Sequence, residues 1–358
     1  MTDNQLPPAN HPGKQGYLDA AAQVICDAKA AASRSVNLAM TYAYFEVGRI
    51  IVEEEQEGAD RAEYGGQVIV NVSERLTHDF GRGFSKTNVE QMRKFYRVYS
   101  GDEIPQTLSE EFGSNLPATT TGRRFFLSWS HYLKLMRIED VGKRHFYEIE
   151  SARGGWSLKE LQRQMDSGLY ERLALSRDKE GLLRLAQEGQ VVESPEDAIK
   201  DPYVLEFLGL KEEASYSETE LESRIIDHLQ DFLLELGRGF AFMGRQQRFT
   251  YEEDHFQVDL VFYNRLLRCF VLFDLKLGKL THQDIDQMQM YVHYYDRKVK
   301  MADENPTIGI LLCQDKNDAM VEMTLPEDNE QIFASKYRTV LPSETELKDF
   351  LNEEAEDE

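Results

Sequence analysis

Two apolar, strand-like runs each carry an acid in a place where a hydrophobic residue would be ordinary. The first reads Phe256-Gln-Val-Asp259-Leu-Val-Phe-Tyr263 and the second Cys269-Phe-Val-Leu-Phe-Asp274-Leu-Lys276. Alternate residues of a strand share a face, so Asp274 and Lys276 point to one side of a sheet. Asp259, on the neighbouring strand of a hairpin, lies within reach. Hard divalent ions such as Mg²⁺ take carboxylate and carbonyl oxygens. Asp259, Asp274 and the Leu275 carbonyl would supply them. The ion would polarise a phosphate and lower the pKa of a water. Lys276 would position that water or meet the charge that develops on phosphorus. The chemistry implied is metal-dependent phosphodiester hydrolysis. The alternative is a surface ion pair on an edge strand. Burying such a pair in so apolar a run without a ligand is costly, which favours the chemical reading.

Three further residues join the set. Glu222 sits on a helix before the strands, one position from its apolar stripe, and is either an extra acidic ligand or a solvated residue. Gln287 and Tyr291 are spaced i, i+4 and share a helix face after them. They orient Lys276 or touch a phosphate, unless Tyr291 merely packs on the sheet and Gln287 caps it. Arg245 or Arg248, on the preceding strand, would meet a nucleic-acid backbone, unless they are simply solvated strand residues. His282 and His293 have no second His or Cys at ligand spacing, so zinc is not expected.

Positioning these groups takes a sheet and its covering helices. Ser217-x-x-Glu220 has the form of a capping box. It heads one long helix with Leu221, Ile225, Leu229, Phe232 and Leu236 on a face, stopped by Gly237-Arg-Gly239. Strands over 240–249, 256–263 and 269–275 follow, then a helix over 283–295 and a buried strand over 307–313. That order gives a mixed α/β sheet.

Upstream the pattern is helical. Helices are expected over about 17–57, 68–80 and 86–99, the third capped by Ser85 after the Gly81-Arg-Gly turn. Helix, glycine turn, helix is the outline of a helix-turn-helix, whose second helix would lie in a groove with Arg93, Lys94 and Arg97 toward nucleic acid; the alternative is a helical packing or dimerisation module. Helical stretches over 127–150 and, from a Trp156-Ser157-x-x-Glu160 capping box, 157–174 complete this half. The domain organisation read from the chain is a disordered 1–16, a helical domain over 17–176, a charged linker over 177–201, an α/β domain over 202–343 and an acidic tail over 344–358. The fold class is α+β and multi-domain.

Composition sets outer bounds. Lys and Arg total 41 against 64 Asp and Glu, a formal charge of −23. Such a chain is repelled by phosphates at long range unless its charge is segregated, which argues against tight non-specific DNA binding. Cys26, Cys269 and Cys313 are scattered and odd in number, the pattern of a reducing, cytoplasmic compartment. No signal peptide is visible, and no apolar run approaches the roughly 20 residues of a membrane span.

The segment from about Ser217 to Arg297 resembles the PD-(D/E)xK nuclease superfamily. With Phe232-Leu-Leu-Glu-Leu-Gly-Arg-Gly-Phe-Ala-Phe-Met-Gly-Arg-Gln-Gln-Arg248 and Asp274-Leu-Lys-Leu-Gly-Lys-Leu280, nearly the whole chain resembles the bacterial YhcG-like family, which joins a helical domain of uncharacterised role to such a nuclease domain. The resemblance implies that Asp259 and Asp274 are the motif acids, Lys276 the motif lysine, Glu222 the extra acidic ligand, and Gln287 and Tyr291 the Gln-x-x-x-Tyr motif of the exonuclease-like branch. Val258 replaces the motif proline, and the second acid is Asp rather than Glu. The implied protein is a Mg²⁺- or Mn²⁺-dependent nuclease acting on DNA ahead of RNA, in defence or mobile-element processing. A homodimer and a protein partner for the helical half are compatible with it. A non-catalytic assembly protein on the same scaffold, or a transcriptional regulator built on the helical half, are the competing expectations.

Overall fold

The computed structural model describes residues 13–57, 64–101, 108, 111, 118–175, 179–210, 216–251, 253–343 and 345–346. The expectations for residues 1–12 and nearly all of the acidic tail therefore lie outside the described residues, as does most of the Pro/Ser/Thr-rich stretch 100–122. The chain divides into two compact units, Met1–Arg144 and His145–Glu358. A charged linker is expected over 177–201. The described part of that segment is packed: α8 (Lys179–Glu188) forms within it, Leu185, Gln190 and Lys200 are buried, and Gln190 N–H donates to Glu150 at 2.9 Å.

In the first unit α1 (Gly13–Glu57) begins upstream of the expected start, taking in residues expected to be disordered. The Gly65-Gly66 pair lies inside the first turn of α2 (Tyr64–Phe80) rather than between helices. The Ser85 side chain accepts from Asn88 N–H and starts α3 (Lys86–Tyr99). Helix, turn and helix are thus present. However, α3 buries Val89, Met92, Phe95 and Tyr99, and it lies so close to α1 that a Cβ at Gly48 would run into the Met92 carbonyl. Phe45, Phe95, Phe125 and Tyr132 form an aromatic cluster beside that contact, Phe45–Phe95 and Phe125–Tyr132 edge-on and the other two pairs tilted. The stretch 127–150 is two helices, α4 (Trp129–Leu135) and α5 (Val141–Gly154). The Asp140 carboxylate accepts from Lys143 N–H at 2.6 Å and restarts the helix.

The second unit takes in the end of α5. The Ser157–Glu160 capping box forms as expected and opens α6 (Leu158–Asp166). Gly168, with φ of 62°, separates it from α7 (Leu169–Ala174). The expected long helix is likewise two, α9 (Glu218–Asp227) and α10 (Leu229–Leu236), broken at His228. Six strands form one sheet: β1 (Tyr203–Val204), β2 (Phe240–Tyr251), β3 (Asp254–Asn264), β4 (Cys269–Lys279), β5 (Ile308–Asp315) and β6 (Ile332–Arg338). Their order is β1-β6-β5-β4-β3-β2. β2, β3 and β4 are antiparallel, while β4, β5, β6 and β1 run parallel. β1 and β6 were not expected from the sequence.

Each face of the sheet has its own core. Leu221, Ile225, Phe232 and Leu236 of α9 and α10 pack with Leu260, Phe262, Phe273 and Leu275 on one side. On the other, Ile285, Met288, Tyr291 and Val292 of α11 (His282–Tyr294) pack with Leu272, Leu311 and Cys313. Among the described residues no helix is long and apolar enough to cross a membrane.

Candidate active site

The β3–β4 ladder runs from Asn264–Cys269 to Leu260–Phe273 and stops there. Asp259 and Asp274 are the first residues beyond it, at the point where the strands part. Asp259 spans the opening: its Oδ2 accepts from Leu275 N–H at 2.8 Å. In a strand a residue's N–H and C=O project toward the same neighbour, so the Leu275 carbonyl also faces Asp259. Asp274 leaves β4 on the α11 side, as does Lys276, whose Nζ lies 2.8 Å from Asp274 Oδ2 and 3.6 Å from Asp284 Oδ1 of α11. The Asp274 contact is an ion pair at an angle that leaves Oδ2 without a well-directed hydrogen bond.

Burial dominates the electrostatics. It pushes the Asp274 carboxyl up to about 7, with the Lys276 ammonium pulling against it and the Asp259 charge pushing with it. Asp259 is also raised by burial, against the Leu275 N–H it accepts from. Glu222 is raised by burial and then by the charge of Asp259. Burial alone would lower Lys276, but the Asp274 charge outweighs it and holds the ammonium above its usual range. Tyr291 is pushed up to about 12 by burial and by Asp274.

The expected residues gather, with changes of partner. Glu222, buried on α9, reaches the aspartates through an intermediary: the Gln246 amide donates to Glu222 Oε2 and, at 3.1 Å, to Asp259 Oδ1. Gln287 donates to Tyr291 Oη, and Tyr291 Oη donates to the Gln257 carbonyl at 2.8 Å. These two therefore brace β3 rather than Lys276, which Asp284 restrains instead. Arg248 is exposed on β2, while its neighbour Arg245 is the arginine whose charge acts on Glu222. Arg93 and Arg97 are paired with Glu55 of α1, at 2.7 and 2.8 Å, which occupies two cations expected to face nucleic acid. Lys94 is exposed.

Sequence reasoning missed Glu218, Gln246, Gln257 and Asp284. Glu218 accepts from Leu277 N–H at 3.2 Å, and it precedes Glu222 by one helical turn. Asp284 ends a Thr281-x-x-Asp capping box, a readable signal. The two glutamines carry none.

The oxygen donors suit a hard cation. Asp274 is buried and Asp259 half-buried, the Asp259 charge raises the Asp274 carboxyl, and a carbonyl faces the same opening. Among the described residues no group of three or more His, Cys, Asp and Glu side chains is gathered to hold a metal ion. The set that fits is thus Asp259, Asp274 and the Leu275 carbonyl, with Glu222 standing off behind Gln246.

Residues 196–352 match the family model described as the YhcG PDDEXK nuclease domain, and residues 20–172 match the DUF1016 N-terminal domain. The YhcG protein of Escherichia coli (strain K12) is 41% identical over 353 residues, covering 95% of this chain and 94% of that one. The chain belongs to the YhcG nuclease family. Solved structures overlap it less. A repair endonuclease from Pyrococcus abyssi is 18% identical, with 37% of this chain and 50% of that one covered at a TM-score of 0.24. EndoMS in complex with double-stranded DNA is 16% identical, covering 37% and 49% at a TM-score of 0.25.

Proposed function

We propose that the chain is a metal-dependent phosphodiesterase that cleaves nucleic acid, DNA ahead of RNA, with Mg²⁺ or Mn²⁺ as cofactor. The observation that carries this reading is the placement of Asp259, Asp274 and Lys276 together where β3 and β4 part. Asp259, Asp274 and the Leu275 carbonyl would hold the ion, which when bound polarises a phosphate oxygen and lowers the pKa of a water. Lys276 keeps its proton and offers a fixed positive charge to the nucleophile or to the phosphate oxygens. Asp284 limits where that charge can go. Gln287 and Tyr291 hold β3 in place through the Gln257 carbonyl. Glu222 would join them through Oε1, since its Oε2 is held by the Gln246 amide.

The helical region would then supply substrate or partner recognition, in defence or mobile-element processing. Its contact with nucleic acid would rest on Lys94 more than on the paired Arg93 and Arg97, with Arg248 serving the nuclease domain. A homodimer belongs to the same reading, because cutting both strands of a duplex needs two sites or two visits. A cytoplasmic location is supported by Cys269 and Cys313, which are free and buried.

The test is cleavage of linear, supercoiled, branched and single-stranded DNA and of RNA with Mg²⁺ or Mn²⁺. Asp274→Ala and Lys276→Ala run beside the wild type. The expected result is metal-dependent cutting of at least one DNA form, with each substitution lowering the rate by at least about a hundredfold, the scale of a lost electrostatic contact to the transition state. Cutting that survives both substitutions would place the chemistry elsewhere. No cutting of any substrate would favour the non-catalytic assembly protein.

A further inference from the structure

Gln246 stands apart from the other strand residues near the site. β2 shifts register between Phe242 and Gly244. Beyond the shift, Arg245 pairs with Leu260 and Gln247 with Val258, which leaves Gln246 opposite Asp259. Its φ is 50°, in the left-handed region that side chains other than Gly, Asn and Asp seldom occupy. Local strain of this kind persists where the surroundings fix it, and it clusters at functional sites.

The carboxamide of Gln246 is fully engaged. Its amide nitrogen donates to both Glu222 Oε2 and Asp259 Oδ1, the latter at 3.1 Å. Its Oε1 accepts from the Gln257 amide. The orientation follows from chemistry: two carboxylates accept only, so the nitrogen and not the oxygen faces them. Gln257 is itself fixed, since its carbonyl accepts from Tyr291 Oη at 2.8 Å. A chain of hydrogen bonds thus runs from α9 through β2 and β3 to α11. A merely solvated strand glutamine would have none of this.

We propose that Gln246 is a positioning residue for the metal ligands: its carboxamide holds Glu222 and Asp259 at a fixed separation, and Gln257 holds the carboxamide. This rests on the reading of the site as metal-binding. Without the bridge, two like charges would move apart, and an entering ion would have to bring them together. Groups that orient ligands in this way typically change metal affinity by about 10- to 100-fold when removed.

The experiment is Mn²⁺ binding to the full chain without nucleic acid, by calorimetry and by electron paramagnetic resonance of free Mn²⁺, at one pH. Gln246→Ala is expected to bind Mn²⁺ about 10- to 100-fold more weakly. Its melting temperature in EDTA should stay within a few degrees of the wild type. Gln257→Ala touches neither acid and should weaken binding in the same direction. In the Gln246→Ala background it should add nothing, because residues of one network are not additive. If Gln246→Ala does not fold, Gln257→Ala and its wild-type comparison decide alone. Unchanged Mn²⁺ affinity with lowered melting would make Gln246 structural and overturn the proposal. Tighter binding would also overturn it, making the amide a plug in the metal position. A wild type that binds no Mn²⁺ would remove the metal reading itself, a result distinct from either.

Discussion

At Asp274 the buried carboxyl, pushed up to about 7, makes metal-free stability depend on pH. The folded state keeps this proton to about 7, whereas the unfolded chain releases it near the ordinary aspartate value. Between those limits the folded state binds more protons, so its stability falls as pH rises. The contribution is whole below the unfolded value and lost as pH climbs through about 7. Asn imitates the protonated acid at every pH. In EDTA, Asp274→Asn should therefore be more stable than the wild type at pH 8, by up to a few kcal/mol, with the gap narrowing toward pH 5. Denaturant melts at the two pH values measure it. A wild type more stable than the variant at pH 8 would mean that the Lys276 ion pair outweighs burial. The same physics made this residue legible in the sequence: a charge inside Cys-Phe-Val-Leu-Phe-Asp-Leu-Lys is expensive and so calls for a reason. Asp259 was legible on the same ground. Gln246 and Gln257 were not. A neutral amide on a strand costs little to leave in water, and only the register shift at Gly244 reveals that Gln246 is turned inward.

Between elements, the junction of α6 and α7 with α10 and β1 hangs on one acid. Glu235 is buried, with Arg172 Nη1 at 2.7 Å and Arg163 Nη1 at 3.2 Å, and it accepts from Val204 N–H at 3.0 Å. Burial works against its charge, but Arg172, Lys200 and Arg163 prevail and hold it at about 2. The folded carboxyl therefore binds fewer protons than the unfolded one between about 2 and the ordinary glutamate value. Its contribution is present above that value and is lost as pH falls through about 2. Glu235→Gln leaves a buried guanidinium without its counter-charge and should cost roughly 3–5 kcal/mol at pH 7. That difference should shrink as the two proteins are acidified, in denaturant titrations at pH 7 and pH 3. A loss below about 1 kcal/mol would show that the arginines find other acceptors. Element boundaries were legible where a side chain caps them, as at Ser85, Ser157 and Ser217. They were not legible at His228 or Gly168, where no side chain caps the break and only the backbone angles leave the helical region. Nor was the two-residue β1 legible, since it exists only because β6 pairs with it.

For the whole molecule, a charge of −23 and a nucleic-acid substrate pull in opposite directions. The described residues show where many cations go. Arg49 is taken by Glu46 and Glu53, Arg93 and Arg97 by Glu55, and Arg184 by Glu188 and Glu193. Arg163 and Arg172 lie inside the fold on Glu235. Binding driven by phosphate contacts releases counterions, and its affinity falls about 10³- to 10⁵-fold between 50 and 200 mM salt when six to ten phosphates are neutralised. With these arginines held by the chain's own acids and a net charge of −23, we expect the chain to neutralise few phosphates. Duplex DNA binding in EDTA should then be weak at any salt and should fall by no more than about tenfold over that range. Fluorescence anisotropy with a labelled duplex measures the slope. Such a shallow slope would assign recognition to the bound ion and to the geometry of the cleft, and would explain how an acidic nuclease avoids idle contact with bulk DNA. A thousandfold fall would require the remaining cations to gather into one phosphate-binding face, and would move the recognition step there.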